Sequence, residues 1–133
     1  MSNAQSGPVK VLVVEDNALN LKLVRDVLAH AGYRIYEATS GEEGVRLAGE
    51  VHPDLVLMDL QLPGIDGAEA LRRLRGTAAG AVPVVAVTAF AMDEDRRKAE
   101  RDGFDGYLRK PISVRALPQQ VRRFLAGAHD DDD

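Results

Sequence analysis

Residues 54–59, DLVLMD, decide the fold. Four consecutive apolar residues, Leu55 to Met58, bounded by turn formers, read as a strand buried on both faces, and the run stops at a carboxylate where the sheet should end. Asp59 is thereby placed at a rim, neither in the core nor on a free loop. Leu60 to Gly67, with Pro63, Gly64 and Gly67, is too rich in Pro and Gly to continue the strand and turns the chain back toward a helix.

Outward from this stretch the same alternation repeats. Val11 to Val14 is a β-branched-rich strand ending in Glu15, Asp16 and Asn17. A helix follows with Leu21, Val24, Leu28 and Ala31 on one face and Gly32 as its stop. Tyr33 to Ala38 is a strand of mixed polarity. Ser40 and Glu43 then form a capping box for a helix that buries Val45, Ala48 and Val51. Beyond Asp59, Asp66 and Glu69 open a helix carried by Leu71 and Leu74, and Gly76 to Gly80 is a loop. Val84 to Val87 is a wholly apolar strand ending at Thr88. The charged stretch Asp93 to Asp102 gives a helix with a thin apolar face, loosely held and closed by Gly103. Phe104 to Arg109 is a last mixed strand, and a final helix runs toward Leu125. Pro118 has no N–H for the carbonyl of Val114, so that helix is irregular at its start or begins in regular form near Pro118.

Five strands alternating with five helices specify an α/β fold of the (βα)5 type, a parallel sheet with helices on both faces and right-handed crossovers. The second and fifth strands carry polar residues, as edge strands do, which gives the order 2-1-3-4-5, the order known for flavodoxin and CheY. The chain is 133 residues, enough for one domain with a real core. Residues 9–126 are expected to form it, with a flexible leader at 1–8 and a disordered acidic tail at 127–133. Without Asp130 to Asp133 the chain carries as many acidic residues as its 17 Lys and Arg, so bulk charge argues against nucleic-acid binding. The absence of cysteine excludes disulfides and thiolate metal sites and fits a cytoplasmic setting. No stretch reaches the ~18 apolar residues of a membrane span, so no membrane partner is expected.

In open sheets of this kind functional groups gather beyond the carboxyl ends of the strands. Those ends supply Glu15 and Asp16, Asp59, Thr88 and Lys110. Three carboxylates at one rim repel one another unless a cation sits among them, and a small hard ion such as Mg2+ takes a few protein oxygens and keeps its other positions for water or phosphate. An ionised Asp59 can then attack a phosphoryl group without a general base, giving an aspartyl phosphate, with Lys110 and the Thr88 hydroxyl meeting charge on the transferred oxygens. Each residue alone reads as a turn former, a cap or a surface group; five at one rim do not.

The segments VLVVEDN (11–17), LVLMDLQLPGIDG (55–67), VVAVTA (84–89) and GYLRKPIS (106–113) are similar, in order and spacing, to those of the two-component response regulator receiver domain. The resemblance covers roughly residues 9–126. It implies phosphorylation of Asp59 by a histidine kinase or a histidine phosphotransfer protein. It also implies Mg2+ held by Glu15, Asp16, Asp59 and the Gln61 backbone carbonyl, and phosphoryl contacts to Thr88 and Lys110. Tyr107 matches the switch aromatic, which would follow Thr88 inward, and Lys110–Pro111 matches a peptide bond typically cis there. Gln61 and Phe90 fall at positions that in this family influence how long the phosphoryl group survives. Within the family the chain resembles DivK-like single-domain regulators of alphaproteobacterial cell division, and also receivers at the ends of hybrid histidine kinases.

Such a domain turns over no external substrate; it catalyses only its own phosphorylation and dephosphorylation. A downstream protein partner is expected at the face of the fourth helix, fifth strand and fifth helix, with no direct nucleic-acid partner and a monomer or weak dimer. Phe90, Ala91 and Met92 read equally as packing against the fourth helix or as a docking patch. His30, His52 and His129 read as surface residues. Two other functions fit the fold. A flavodoxin-like nucleotide or cofactor binder would want a phosphate cradle after the first strand, where Glu15 and Asp16 stand instead. An aspartate-based phosphohydrolase would want a second acid where Gln61 stands.

Overall fold

The computed structural model describes residues 7–90 and 92–127. Most of the expected leader and tail, together with Ala91, His129 and Asp130 to Asp133, lie outside the described residues. The elements are β1 (Lys10–Val14), α1 (Ala18–His30), β2 (Arg34–Ala38), α2 (Gly41–Val51), β3 (Leu55–Asp59), α3 (Gly67–Leu74), β4 (Val84–Thr88), α4 (Asp93–Asp102), β5 (Gly106–Arg109) and α5 (Leu117–Leu125). The strands form one parallel sheet in the order β2-β1-β3-β4-β5.

Period-two alternation along the strands divides the core into two layers. Leu12, Val14, Val56, Met58, Val84 and Ala86 face α2, α3 and α4. Val11, Val13, Leu55, Leu57, Val85 and Val87 face α1 and α5, where they meet Leu21, Val24, Leu28, Leu117, Val121 and Phe124. The central strands β3 and β4 are buried along their whole length, which is why their sequences show no alternation of polarity. Register pairs Val14 with Met58 and Asp59 with Val87, so the strands end at a common rim.

Several local expectations change. Ala31 is exposed: α1 ends at His30, Ala31 is its C-cap, and Gly32 at φ +101° turns the chain away. The buried line of α2 is Gly41, Gly44 and Ala48, with Val45 and Val51 only partly buried. The reason is close approach: a Cβ on Gly44 would lie 2.8 Å from Val14 Cγ2, so α2 sits nearer the sheet than larger side chains would allow. Ser40 Oγ accepts from the Glu43 N–H at 3.1 Å, but the Glu43 carboxylate reaches back one residue further, to the Thr39 N–H at 2.9 Å. At α3, Asp66 Oδ1 accepts from the Glu69 N–H at 2.9 Å, while the Glu69 carboxylate turns to Arg72 and Arg73 instead of closing the box. β5 begins at Gly106, and Asp105 before it accepts through its side chain from Arg75 and the Val84 N–H. α5 starts in regular form at Leu117 with Pro118 in its first turn.

Candidate functional site

The rim formed by the ends of β1, β3, β4 and β5 gathers four of the five sequence-selected polar residues into one polar centre. Glu15 follows β1 directly, its N–H donating to the Ala38 carbonyl of β2 at 2.9 Å, and its side chain is buried. Asp59, the last residue of β3, is 2% exposed. Asp16 is exposed beside them. Carboxylate oxygens of Glu15, Asp16 and Asp59 all lie within 4.8 Å of one another.

Lys110 crosses this cluster from the end of β5. Its ammonium donates to Asp59 Oδ2 at 3.0 Å and lies 3.2 Å from Glu15 Oε1. Its backbone N–H donates to the Thr88 carbonyl at 2.8 Å, and the Lys110–Pro111 bond is cis. Asp59 Oδ1 accepts from the Gln61 N–H at 2.9 Å, so each of its oxygens has one donor. Burial pushes the Glu15 carboxyl up from its ordinary range; the Asn17 N–H bond opposes this, and the Asp59 charge adds to it. For Lys110, burial pulls down, but the hydrogen bond and charge of Asp59 prevail and the ammonium is held above its ordinary value.

Thr88 and Tyr107 grip a different group. Thr88 is buried, and its Oγ accepts from the Phe90 N–H at 3.1 Å. The Tyr107 hydroxyl donates to the Phe90 carbonyl. The peptide groups on both sides of Phe90 are therefore held, while its ring is 54% exposed and Met92 is exposed as well. The Tyr107 ring is buried in this structure. Arg96 of α4 stands over that ring, 6.0 Å from its centroid, at the outer limit for a cation on an aromatic face. The part played by the Phe90 backbone and by Arg96 had no signal in the sequence, since a main-chain carbonyl carries no residue type and Arg96 is one of many charges on α4. Clefts flank α4: one of about 290 Å³ lined by Arg96, Glu100, Phe104 and Tyr107, and one of about 190 Å³ lined by Leu60, Gln61, Thr88, Phe90 and Lys98.

The donor set suits a hard cation. It is made of carboxylate oxygens with one exposed member, which leaves room for water, and two of its acids are buried with a single ammonium between them. A phosphate held by backbone N–H groups alone would face Glu15 and Asp16, against a nucleotide cradle at this rim.

Residues 11–122 match the response regulator receiver domain. The chain is 43% identical over 119 residues to the polar-differentiation response regulator DivK of Brucella ovis, covering 89% of this chain and 97% of that protein. It is 41% identical over 122 residues to DivK of Brucella anthropi, covering 91% and 99%. Among solved structures it resembles chemotaxis protein CheY4 of Vibrio cholerae, with TM-score 0.83 and 25% identity over 88% of this chain and 98% of that one. It also resembles the receiver domain of a Pseudomonas aeruginosa sensor histidine kinase with a magnesium ion coordinated in its active site cleft. That likeness has TM-score 0.81 and 34% identity over 91% of this chain and 99% of that one.

Proposed function

The chain belongs to the response regulator receiver family, and from that premise we propose that it is a phosphorylation-switched signalling module whose phosphoacceptor is Asp59. The observation that carries this reading is the Asp59 side chain itself: buried at a strand end, one oxygen on the Lys110 ammonium at 3.0 Å, and two further carboxylates within 4.8 Å. An Asp59 oxygen attacks the phosphorus of a phosphohistidine on a kinase or phosphotransfer protein. A P–O bond forms, the P–N bond breaks, and the imidazole leaves with the electron pair. Glu15, Asp16, Asp59 and the Gln61 carbonyl would hold Mg2+, which supplies positive charge beside the transferred oxygens. Lys110 supplies a second positive charge, and the Thr88 hydroxyl turns from the Phe90 N–H toward a phosphoryl oxygen.

Phosphorylation adds about two negative charges beside Thr88 and Lys110. It shifts the conformational equilibrium only through contacts that differ between the two states. The Phe90 N–H is the group whose contacts differ, because Thr88 Oγ accepts from it here and is carried away from it when the side chain swings to donate to a phosphoryl oxygen. The output is protein binding at the face of α4, β5 and α5, by a monomer or weak dimer. The 43% identity to DivK, against 34% to the receiver domain of the sensor histidine kinase, supports a DivK-like role. Among the described residues no helix is long and apolar enough to cross a membrane, and the cytoplasm, where kinases of this type present their phosphohistidine, is the proposed location.

The test is intact mass after incubation with acetyl phosphate, with and without Mg2+, on this protein and on Asp59→Asn. A single Mg2+-dependent phosphoryl adduct on the parent protein alone is expected. An adduct that persists in Asp59→Asn, or none under any condition, refutes the assignment.

A further inference from the structure

The two halves of the acidic site come from neighbouring strands whose last ladder pair, Val14 with Met58, lies one residue short of Glu15 and Asp59. Glu15 and Asp16 follow β1, whereas Asp59 ends β3 and Gln61 lies in the loop before α3. The first turn of α2 touches both segments. A Cβ on Gly44 would lie 2.8 Å from Cγ2 and 3.2 Å from Cγ1 of Val14, the residue before Glu15. A Cβ on Gly41 would lie 2.7 Å from Cγ1 of Ile65, in the loop that carries Gln61, and 3.2 Å from the Ala70 Cβ of α3. Both glycines are buried and lie one turn apart on the same helix face. Resting on the reading of Asp59 as phosphoacceptor with Mg2+ beside it, we propose that Gly41 and Gly44 are positioning residues that set the separation between the two halves of the metal site.

The loop has little freedom to absorb a push elsewhere. At its far end Gly67 is wedged against backbone, where a Cβ would lie 2.9 Å from the Leu60 Cα and 3.0 Å from the Asp59 carbonyl oxygen. At its near end the Gln61 N–H is tied to Asp59 Oδ1. Residues 61–66 therefore take up whatever displacement Ile65 suffers. Ordinary contact begins at 3.4 Å, so an alanine at 41 moves Ile65 by about 0.7 Å, close to the ~1 Å misplacement that costs two orders of magnitude in aligned sites. On the other side, an alanine at 44 displaces Val14 and with it the backbone leading to Glu15. Gly49 lies on the same helix, but a Cβ there meets only Thr77 at 3.7 Å, an ordinary contact far from the rim.

The experiment is calorimetric titration of the full chain with MgCl2, with circular dichroism to confirm folding. Gly41→Ala and Gly44→Ala each raise the Mg2+ Kd by about ten-fold, the range seen when residues that orient metal ligands are replaced. Gly49→Ala leaves it unchanged. Ile65→Ala, which tolerates truncation because Ile65 is only partly buried, loosens the loop and also weakens binding. The double variant Gly41→Ala with Ile65→Ala binds Mg2+ more tightly than either single variant, because the new methyl fills the space the isoleucine leaves. Val14→Ala does the same for Gly44→Ala and gives no rescue of Gly41→Ala. A merely structural role lowers Tm in the glycine variants with wild-type Kd, or gives additive losses in the double variants, and either result overturns the proposal. Parent protein that takes up neither Mg2+ nor a phosphoryl group overturns the phosphoacceptor reading and this one together. Normal uptake with an unmoved Kd in Gly41→Ala and Gly44→Ala overturns this one alone.

Discussion

Glu15→Gln is expected to make the protein more stable in EDTA and to abolish its stabilisation by Mg2+. Glu15 sits within 4.8 Å of Asp59, which at an effective dielectric near 20 is a repulsion of about 3.5 kcal/mol. The Lys110 ammonium, 3.2 Å away, returns about 5 kcal/mol on the same scale. The small net attraction is outweighed by the several kcal/mol needed to bury a carboxylate, which agrees with the raised pKa of Glu15. Glutamine keeps an oxygen for the Asn17 N–H, which Glu15 Oε2 accepts at 3.0 Å, and leaves the Lys110 contact with Asp59 intact. The gain is about 1–2 kcal/mol at neutral pH, or roughly 4–8 °C in Tm.

The pH dependence has a definite sign. A carboxyl whose folded pKa is raised favours the folded state most when protonated, so below its ordinary value of 4.5 parent and variant have the same stability. The parent loses ground as pH rises from there through the raised value, and the difference is constant above it. Saturating Mg2+ reverses the ranking: at a hundred times Kd the parent gains about 2.7 kcal/mol, and the variant, lacking one ligand charge, gains little. Thermal melts in EDTA and in MgCl2, with NaCl matching ionic strength, measure both effects. A Glu15→Gln protein that melts below the parent in EDTA at pH 7.5 refutes the view that two buried carboxylates are under-compensated by one lysine.

Three other outcomes follow from contacts away from the rim. The Arg75 guanidinium donates to the Gly80 and Val82 carbonyls at 2.8 and 2.5 Å and to Asp105 at 3.0 Å, and Asp105 also accepts from the Val84 N–H. Arg75→Ala and Asp105→Ala should each cost about 2–3 kcal/mol in urea denaturation, mostly from stranded main-chain groups, since the partly exposed ion pair itself contributes about 0.5 kcal/mol. Gly106→Ala drives a methyl into the Phe124 ring and should cost about 1–3 kcal/mol, with faster hydrogen exchange concentrated in α5. The Glu69 carboxyl, bonded by Arg72 and then Arg73, should titrate near about 2 by carbon-detected NMR. Its contribution to stability is present above 4.5 and is lost as pH falls through that lower value; because the pair is exposed, high salt should move the midpoint back toward 4.5.

Sheet order and helix number were legible because burial on two faces leaves an unbroken apolar run, as in Leu55 to Met58, whereas the edge strands β2 and β5 admit Arg34, Glu37 and Arg109. The rim residues after the central strands were legible for the same reason: a strand that must stay apolar until it leaves the core marks its own end with the first polar residue, as Glu15, Asp59 and Thr88 do. What escaped reading depends on distance of approach. The periodicity of α2 pointed to Val45 and Val51, but the helix turns Gly41 and Gly44 inward because its backbone lies against Val14 and Ile65, and glycine spacing alone does not announce a contact. Arg75 and Asp105 are thirty positions apart and meet through tertiary structure only. The bonds to the Phe90 peptide escaped for a further reason, that one partner is main chain.

These contacts also decide which element can respond to chemistry at Asp59. α1 and α5 bury three large or medium apolar side chains each against the sheet, and α2 and α3 are wedged together through Gly41, Ile65 and Ala70. α4 buries Ala99 alone, has a cleft on either side, and is entered through the loop whose Phe90 peptide is gripped by Thr88 and Tyr107. Its ends are not equivalent. At the C-terminal end Arg75 donates to the Gly103 carbonyl at 3.4 Å and ties down Asp105, whereas at the N-terminal end the Met92 N–H has only the Asp95 carboxylate at 3.3 Å. An element with few buried contacts and one firm end opens at low cost from the other end. If Thr88 gives up the Phe90 N–H to a phosphoryl oxygen, the displacement enters α4 at Met92 and fades toward Gly103. The partner-binding change should therefore be steepest around Phe90, Met92 and Arg96, not spread evenly along the helix.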